Sequence, residues 1–186
     1  STTDSRTWLP ARRSSPAEGP VDAPGACAAA RGSPRVCNSD AGLLRGGTLH
    51  VENLRAMPGI ILLRPCDSNE AAEAWKFALN NRQAPTCIAL TRQPVPILDR
   101  ALYAPARELH RGGYILSEAN GGGPQALVIA TGSEVHIALQ AQIMLAEQGF
   151  RVRVVALPCW SVFERQPQAY RESVMLPHIT ARVSIE

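Results

Sequence analysis

One lysine, Lys76, stands against eighteen arginines in this 186-residue chain. With abundant Ala, Gly and Pro, that skew points to a GC-rich gene, since those residues share GC-rich codons. No apolar run approaches the roughly 18 residues of a membrane span, so no membrane partner is expected. The opening STTDSRTWLPARR has no apolar h-region and no initiating methionine, so a processed or partial chain without a secretory signal is expected. Five cysteines (Cys27, Cys37, Cys66, Cys87, Cys159) form no CxxC and share no ligand-like spacing with the four histidines, which argues against a metal site. Cys66, Cys87 and Cys159 read as small apolar fillers of a reduced, cytoplasmic protein. The formal charge of +3 is too small, and its basic residues too scattered, for a nucleic-acid partner.

What is present becomes orderly only from about His50. Residues 1–47 hold five prolines and six glycines, 11 of 47, against roughly 12% in ordinary chains, and no helical or strand period persists there. Two readings stay open on composition: a disordered tail, or out-of-frame translation of a GC-rich gene. The stretch from Leu54 to Leu98 reads as strand, loop, helix, strand and an arginine-bearing loop. GIILLRP is an apolar run ended by Pro65, as in a strand buried on both faces. Asp67 or Ser68 caps the next helix, with Glu70 and Glu73 near the positive end of its dipole. Ala71, Ala74, Trp75, Ala78 and Leu79 mark its apolar face. TCIALT is the second buried strand, and Arg92 follows where it runs out.

Residues 99–112 form a polar connector read as an interdomain linker. GGYILSEA is a short strand ended by ANGGGP, whose glycines suit a tight hairpin or a wide turn. ALVIAT leads through Gly132 and Ser133 into a helix with Val135, Ala138, Leu139, Gln142 and Leu145 on one face. Ser133 is its expected cap and Gly149 its C′ residue. FRVRVVALP is a strand in which Val152 and Val154 alternate with Arg151 and Arg153. PCWSVFERQPQAYRESVMLP reads as a loop with one helical turn, and TARVSIE opens a strand in which the sequence stops, as in a truncated chain. The fold class is therefore α/β, with two partial doubly wound parallel-sheet units spanning residues 48–98 and 113–186.

Arg92 has the sharpest chemical reading. Ligands bind at the carboxyl ends of parallel strands, and a guanidinium there makes a bidentate phosphate ligand. The competing reading is a surface arginine in a salt bridge. The TGSE turn resembles an anion-binding strand-to-helix junction, although GxGxxG is absent and a plain tight turn explains it more simply. His136 reads as structural, His110 and His178 as solvated, and Trp75 and Trp160 as packing residues. None of the histidines pairs with a Ser, Cys or carboxylate in a nucleophile motif.

LRAMPGIILLRPCDSNEAAEAWKFAL and PTCIALTRQPVPIL resemble the pyrimidine-binding domain of transketolases. ALVIATGSEVHIALQAQIMLAEQGFRVRVVALPCWSVFERQPQAYRESVMLP is similar to the C-terminal domain of the same family. LRAMPG, RPxDxNE, TRQxxP, ATGSE, PxW and FxxQ stand in the family's order over residues 48–186. Pyruvate dehydrogenase-type subunits and deoxyxylulose-phosphate synthases share the architecture, but TRQ and the RESV segment favour transketolase. The resemblance implies reversible transfer of a two-carbon ketol unit between sugar phosphates. It also implies thiamine diphosphate and Mg2+ as cofactors, a homodimer, and a place in the pentose phosphate pathway or Calvin cycle. Arg92 matches the arginine of TRQ that binds the substrate phosphate.

No catalytic, cofactor-binding or metal-binding residue carries over. The diphosphate domain, the segment with the catalytic glutamate and a GEDGPTH run are absent from this chain. His50 matches the histidine of the family's EHLAS, not the catalytic one. Thr3, Asp4 and Ser5 faintly echo THDS at the wrong distance, which favours the out-of-frame reading of residues 1–47. The resulting expectation is a transketolase fragment without turnover of its own. The rival is a noncatalytic α/β module holding sugar phosphates or other anions through Arg92 and the TGSE turn.

Overall fold

The computed structural model describes the backbone of Val36–Asn38 and residues 51–186. The remaining N-terminal positions, including Thr3, Asp4, Ser5, Cys27 and His50, lie outside the described residues, as does most of the segment read as a tail or frameshift. Within that segment Val36–Asn38 forms a strand, β1, an element the composition of residues 1–47 did not foretell.

The first unit continues with α1 (Val51–Ala56), β2 (Ile61–Leu63), α2 (Ser68–Asn80) and β3 (Thr86–Ile88). Its sheet is parallel, in the order β1-β3-β2, with Ile61 beside Thr86 and Leu63 beside Ile88. All six residues of β2 and β3 are buried, as expected of parallel strands covered on both faces. The buried side of α2 consists of Glu70, Ala74 and Ala78, with Phe77 packed beside them. Trp75 and Leu79, expected on that face, are 40% and 56% exposed. The helix is rotated so that its small residues meet the sheet and its large ones face outward.

A 3-10 helix (Ala106–Arg111) follows, then β4 (Tyr114–Ser117), β5 (Ala126–Ala130), α3 (Glu134–Glu147), β6 (Val152–Ala156), α4 (Trp160–Glu164), α5 (Gln168–Met175) and β7 (Arg182–Ile185). The second sheet has the order β4-β6-β5-β7, and β4 alone runs antiparallel. ANGGGP is therefore a wide connection rather than a hairpin turn, because β6 lies between β4 and β5. The segment read as a loop with one helical turn holds two helices, α4 and α5, with Pro167 at the N-cap of the second. Gly149 has φ +84 just beyond α3, where its N–H and that of Phe150 return to Ala146 O and Leu145 O, the expected C′ role. Ser133 does not cap α3: its backbone is helical and its hydroxyl donates to Glu134 Oε1 at 2.9 Å.

The two units share their cores. Leu109 of the connector, fully buried, packs with Ile61, Leu63, Ala74 and Ile88 of the first unit and Cys159 and Val162 of the second. Cys66 and Leu98 pack among Tyr114, Val128, Ala130 and Val154. Residues 99–112 thus form a packed wedge. Gly112 closes it at φ +79, and a Cβ there would stand 2.4 Å from Phe163 N, so only glycine fits. Cys66, Cys87 and Cys159 are buried free thiols, as their spacing implied.

Candidate functional site

The carboxyl ends of β2, β3 and β5 point toward the seam between the units. Arg64, just past β2, donates its N–H to Pro158 O at 2.9 Å and accepts from Gly132 N at 3.2 Å. The chain beyond β3 turns outward. Ala89 N–H bonds Leu63 O at 2.8 Å, and Thr91–Pro94 then stands exposed. Thr91 Oγ1 accepts from Gln93 N–H at 3.2 Å, a hydroxyl-closed turn that fixes the TRQ bend. Arg92 lies at its apex, exposed, and makes no ion pair with another described residue. The competing reading of Arg92 as a salt-bridged surface residue thus finds no partner among the described residues.

Beneath the base of that loop lies a polar network that the sequence did not reveal. Asp67 caps α2, its Oδ1 accepting from Glu70 N–H at 2.8 Å. The same oxygen accepts from Arg100 Nη2 at 2.9 Å, and Oδ2 accepts from Leu98 N–H at 3.1 Å. Glu70, expected near the positive end of the helix dipole, is 1% exposed, and its Oε2 accepts from Cys66 N–H at 2.8 Å, a reciprocal arrangement close to a capping box. The Tyr114 hydroxyl donates to Glu70 Oε1 and receives Arg100 Nη1 at 3.3 Å.

Burial pushes the Glu70 carboxyl above the usual carboxylate range, against the opposing hydrogen bonds from Tyr114 and Cys66. Burial and the nearby Glu70 carboxylate push the Tyr114 phenol up, and burial likewise raises the Cys66 thiol. The Arg100 guanidinium loses solvation, but its contacts with the Tyr114 hydroxyl and the Asp67 carboxylate hold its pKa above its ordinary value. The network therefore orders the seam. Its Cys66 thiol is buried, and the signal that could have disclosed the network was the pairing of Asp67 with Glu70 three residues on.

The TGSE turn is occupied by protein groups. Gly132 adopts φ +59, and a Cβ there would lie 3.3 Å from an Arg64 guanidinium nitrogen. Arg64 pairs with Glu134 at 3.3 Å and with Glu186 at 2.6 Å. Arg55, stacked over Trp160 at 4.8 Å, also pairs with Glu186. The anion-site reading of the turn fails for that reason: a carboxylate and its arginines fill the position. Trp160 is 41% exposed and serves as a face for Arg55 rather than as core. An open groove of about 600 Å³ bordered by Trp160, Phe163, Gln168, Arg171 and Arg182 does not include Arg92.

The histidines divide. His136, half-buried, places Nε2 3.1 Å from Cys66 O, a structural contact as expected. His110 is not simply solvated: it stands 3.0 Å from Glu73 and meets the Phe77 ring edge-on. His178 is exposed. Among the described residues no group of three or more His, Cys, Asp or Glu could hold a metal ion.

The fold and seam define an α/β protein of two β-sheet units meeting at the carboxyl ends of their parallel strands. Residues 46–97 match the family described as "Transketolase, pyrimidine binding domain", and residues 112–186 match "Transketolase-like TK C-terminal domain". A transketolase of Geobacillus stearothermophilus is 44% identical over 137 residues, covering 74% of this chain and 20% of that protein. A chloroplastic transketolase of Arabidopsis thaliana is 41% identical over 138 residues, covering 74% of this chain and 18% of its own length. The transketolase of Leishmania mexicana superposes with a TM-score of 0.66 at 35% identity, covering 73% of this chain and 19% of that one. The Pichia stipitis enzyme in complex with sedoheptulose 7-phosphate gives 0.65 at 35% identity, with the same coverage. This chain belongs to the transketolase family. It spans about a fifth of the length of the curated relatives it matches.

Proposed function

We propose that this chain supplies the phosphate-gripping end of a transketolase substrate channel, with Arg92 as the ligand of the sugar phosphate. The observation that carries the reading is the place of Arg92: it stands exposed at the apex of a hydroxyl-closed turn beyond a parallel strand, with no ion pair to another described residue, inside the stretch matched to the pyrimidine-binding domain. A guanidinium so placed presents two parallel N–H donors to a terminal phosphate. The parent reaction is reversible transfer of a two-carbon ketol unit from a ketose phosphate to an aldose phosphate. Thiamine diphosphate and Mg2+ serve that reaction. A cytoplasmic homodimer serving the pentose phosphate pathway or Calvin cycle completes the reading. Residues 48–98 act as part of the pyrimidine domain, 99–112 as the connector and 113–186 as the C-terminal domain. No helix of the described residues is long and apolar enough to cross a membrane.

By itself the 186-residue chain is a transketolase-family fragment without turnover. Purified chain mixed with thiamine diphosphate, Mg2+, xylulose 5-phosphate and ribose 5-phosphate is expected to form no sedoheptulose 7-phosphate. Product above a no-protein control contradicts this.

A further inference from the structure

We infer that Asp67 is the positioning residue of the Arg92 loop, acting through Leu98 and Arg100 rather than on any ligand. The inference rests on the phosphate reading of Arg92 and deepens it. A helix N-cap needs one side-chain oxygen, and serine supplies it as well as aspartate. Asp67 uses Oδ1 for that purpose, on Glu70 N–H at 2.8 Å. Its second oxygen serves no helix: Oδ2 receives Leu98 N–H at 3.1 Å, 31 residues away, while Arg100 Nη2 closes on Oδ1 at 2.9 Å. The Asp67 side chain is wholly buried, so water cannot replace it.

These bonds fall at one end of the loop. Its near end is fixed by Ala89 N–H on Leu63 O at 2.8 Å, and its far end by Leu98, which is buried in the core. Between the anchors nearly every residue is exposed. Pro94 and Pro96 each lock one backbone torsion, so the direction set at Leu98 carries back toward Arg92. Loosening the far anchor therefore spreads the positions open to the guanidinium and costs orientation at the phosphate.

The test compares the full chain with Asp67→Asn, Asp67→Ser, Arg92→Ala and Tyr114→Phe. It reads amide hydrogen exchange at Ala89–Leu98 and calorimetric affinity for ribose 5-phosphate. Asn and Ser both keep a cap acceptor and lose the second carboxylate oxygen. Both are expected to speed exchange at Leu98 and to weaken ribose 5-phosphate by about tenfold, with β5 and β6 amides unchanged. Tyr114→Phe cuts the Glu70 contact and the 3.3 Å bond from Arg100 Nη1 but keeps every bond to the two Asp67 oxygens, and is expected to leave loop exchange and affinity as in the parent. Unchanged Leu98 exchange or unchanged affinity in both Asp67 variants, where Arg92→Ala abolishes binding, overturns the inference alone. The same changes in Tyr114→Phe also overturn it, since any loss at the seam would then suffice. Arg92→Ala without effect, or a parent chain that takes up no ribose 5-phosphate, overturns the phosphate reading and this inference with it.

Discussion

The seam and the Arg92 loop each hold an arginine and put it to opposite uses. At the seam, Asp67, Glu70, Arg100 and Tyr114 consume one another's donors and acceptors and leave almost nothing for a ligand. In the loop, Arg92 is exposed and makes no ion pair with another described residue. A charge that is satisfied internally orders the chain, whereas an exposed one in a fixed turn is free to bind. The surface clasp of Arg55, Arg64 and Glu186 lies between these cases: it is paired, but its side chains keep 16–27% of their exposure.

The contrast is broken most forcefully at the wedge. Leu109→Ala, at a fully buried position shared by both units, is expected to cost about 2–5 kcal/mol in urea unfolding. Leu102→Ala in the same connector, 78% exposed, should stay within about 0.5 kcal/mol. Arg100→Ala comes next, at about 3 kcal/mol, because it strands the buried Asp67 carboxylate, although that group keeps two backbone donors. Arg64→Ala should cost no more than about 1 kcal/mol, and raised salt should shrink the difference, as for other partly exposed pairs.

Acidity sharpens the same contrast, because the two regions respond with opposite sign. Hydrogen bonding to Arg55 holds the Glu186 carboxyl below the usual carboxylate range. The stability it contributes is present above the unfolded glutamate pKa of about 4.3 and is lost as pH falls through the lower folded value. Burial holds Glu70 above that range, so its contribution is full below the unfolded value and is lost as pH rises through the folded one. Glu186→Gln should flatten the acid side of the stability profile. Glu70→Gln, which imitates the protonated group, should remove the loss on the rising side. Unfolding midpoints measured across pH 3–8 check both, and profiles that coincide with the parent's contradict them.

Much of this was legible in the sequence where one local rule decides. Prolines and apolar runs bounded β2 and β3, Asp67 announced a helix cap, and Gly149 marked a helix end because left-handed backbone favours glycine. What escaped depended on partners distant in the chain. Arg153, alternating with valines in its strand, gave no sign of its partners. It is 7% exposed, because Glu118 takes it in two bonds of 3.0 and 2.8 Å and Ser173 O and Val174 O receive its remaining fork. Trp75 read as core through its helical spacing and Trp160 as a packing residue, yet the small Ala74 and Ala78 are what let α2 approach the sheet. Glu70 read only as a dipole partner of α2, because nothing in its own segment shows Tyr114, 44 residues away. The place of Arg92 beyond β3 was legible from its strand, whereas the bond of Leu98 N–H to Asp67 was not, because it joins residues 31 positions apart.

The most direct measurement is a calorimetric titration of the purified chain with ribose 5-phosphate, repeated with Arg92→Ala. Saturable binding that disappears in Arg92→Ala, with the urea unfolding free energy unchanged within about 0.5 kcal/mol, is the predicted result. Equal binding by both proteins, or none by either, contradicts the assignment of Arg92 as the phosphate end of the channel.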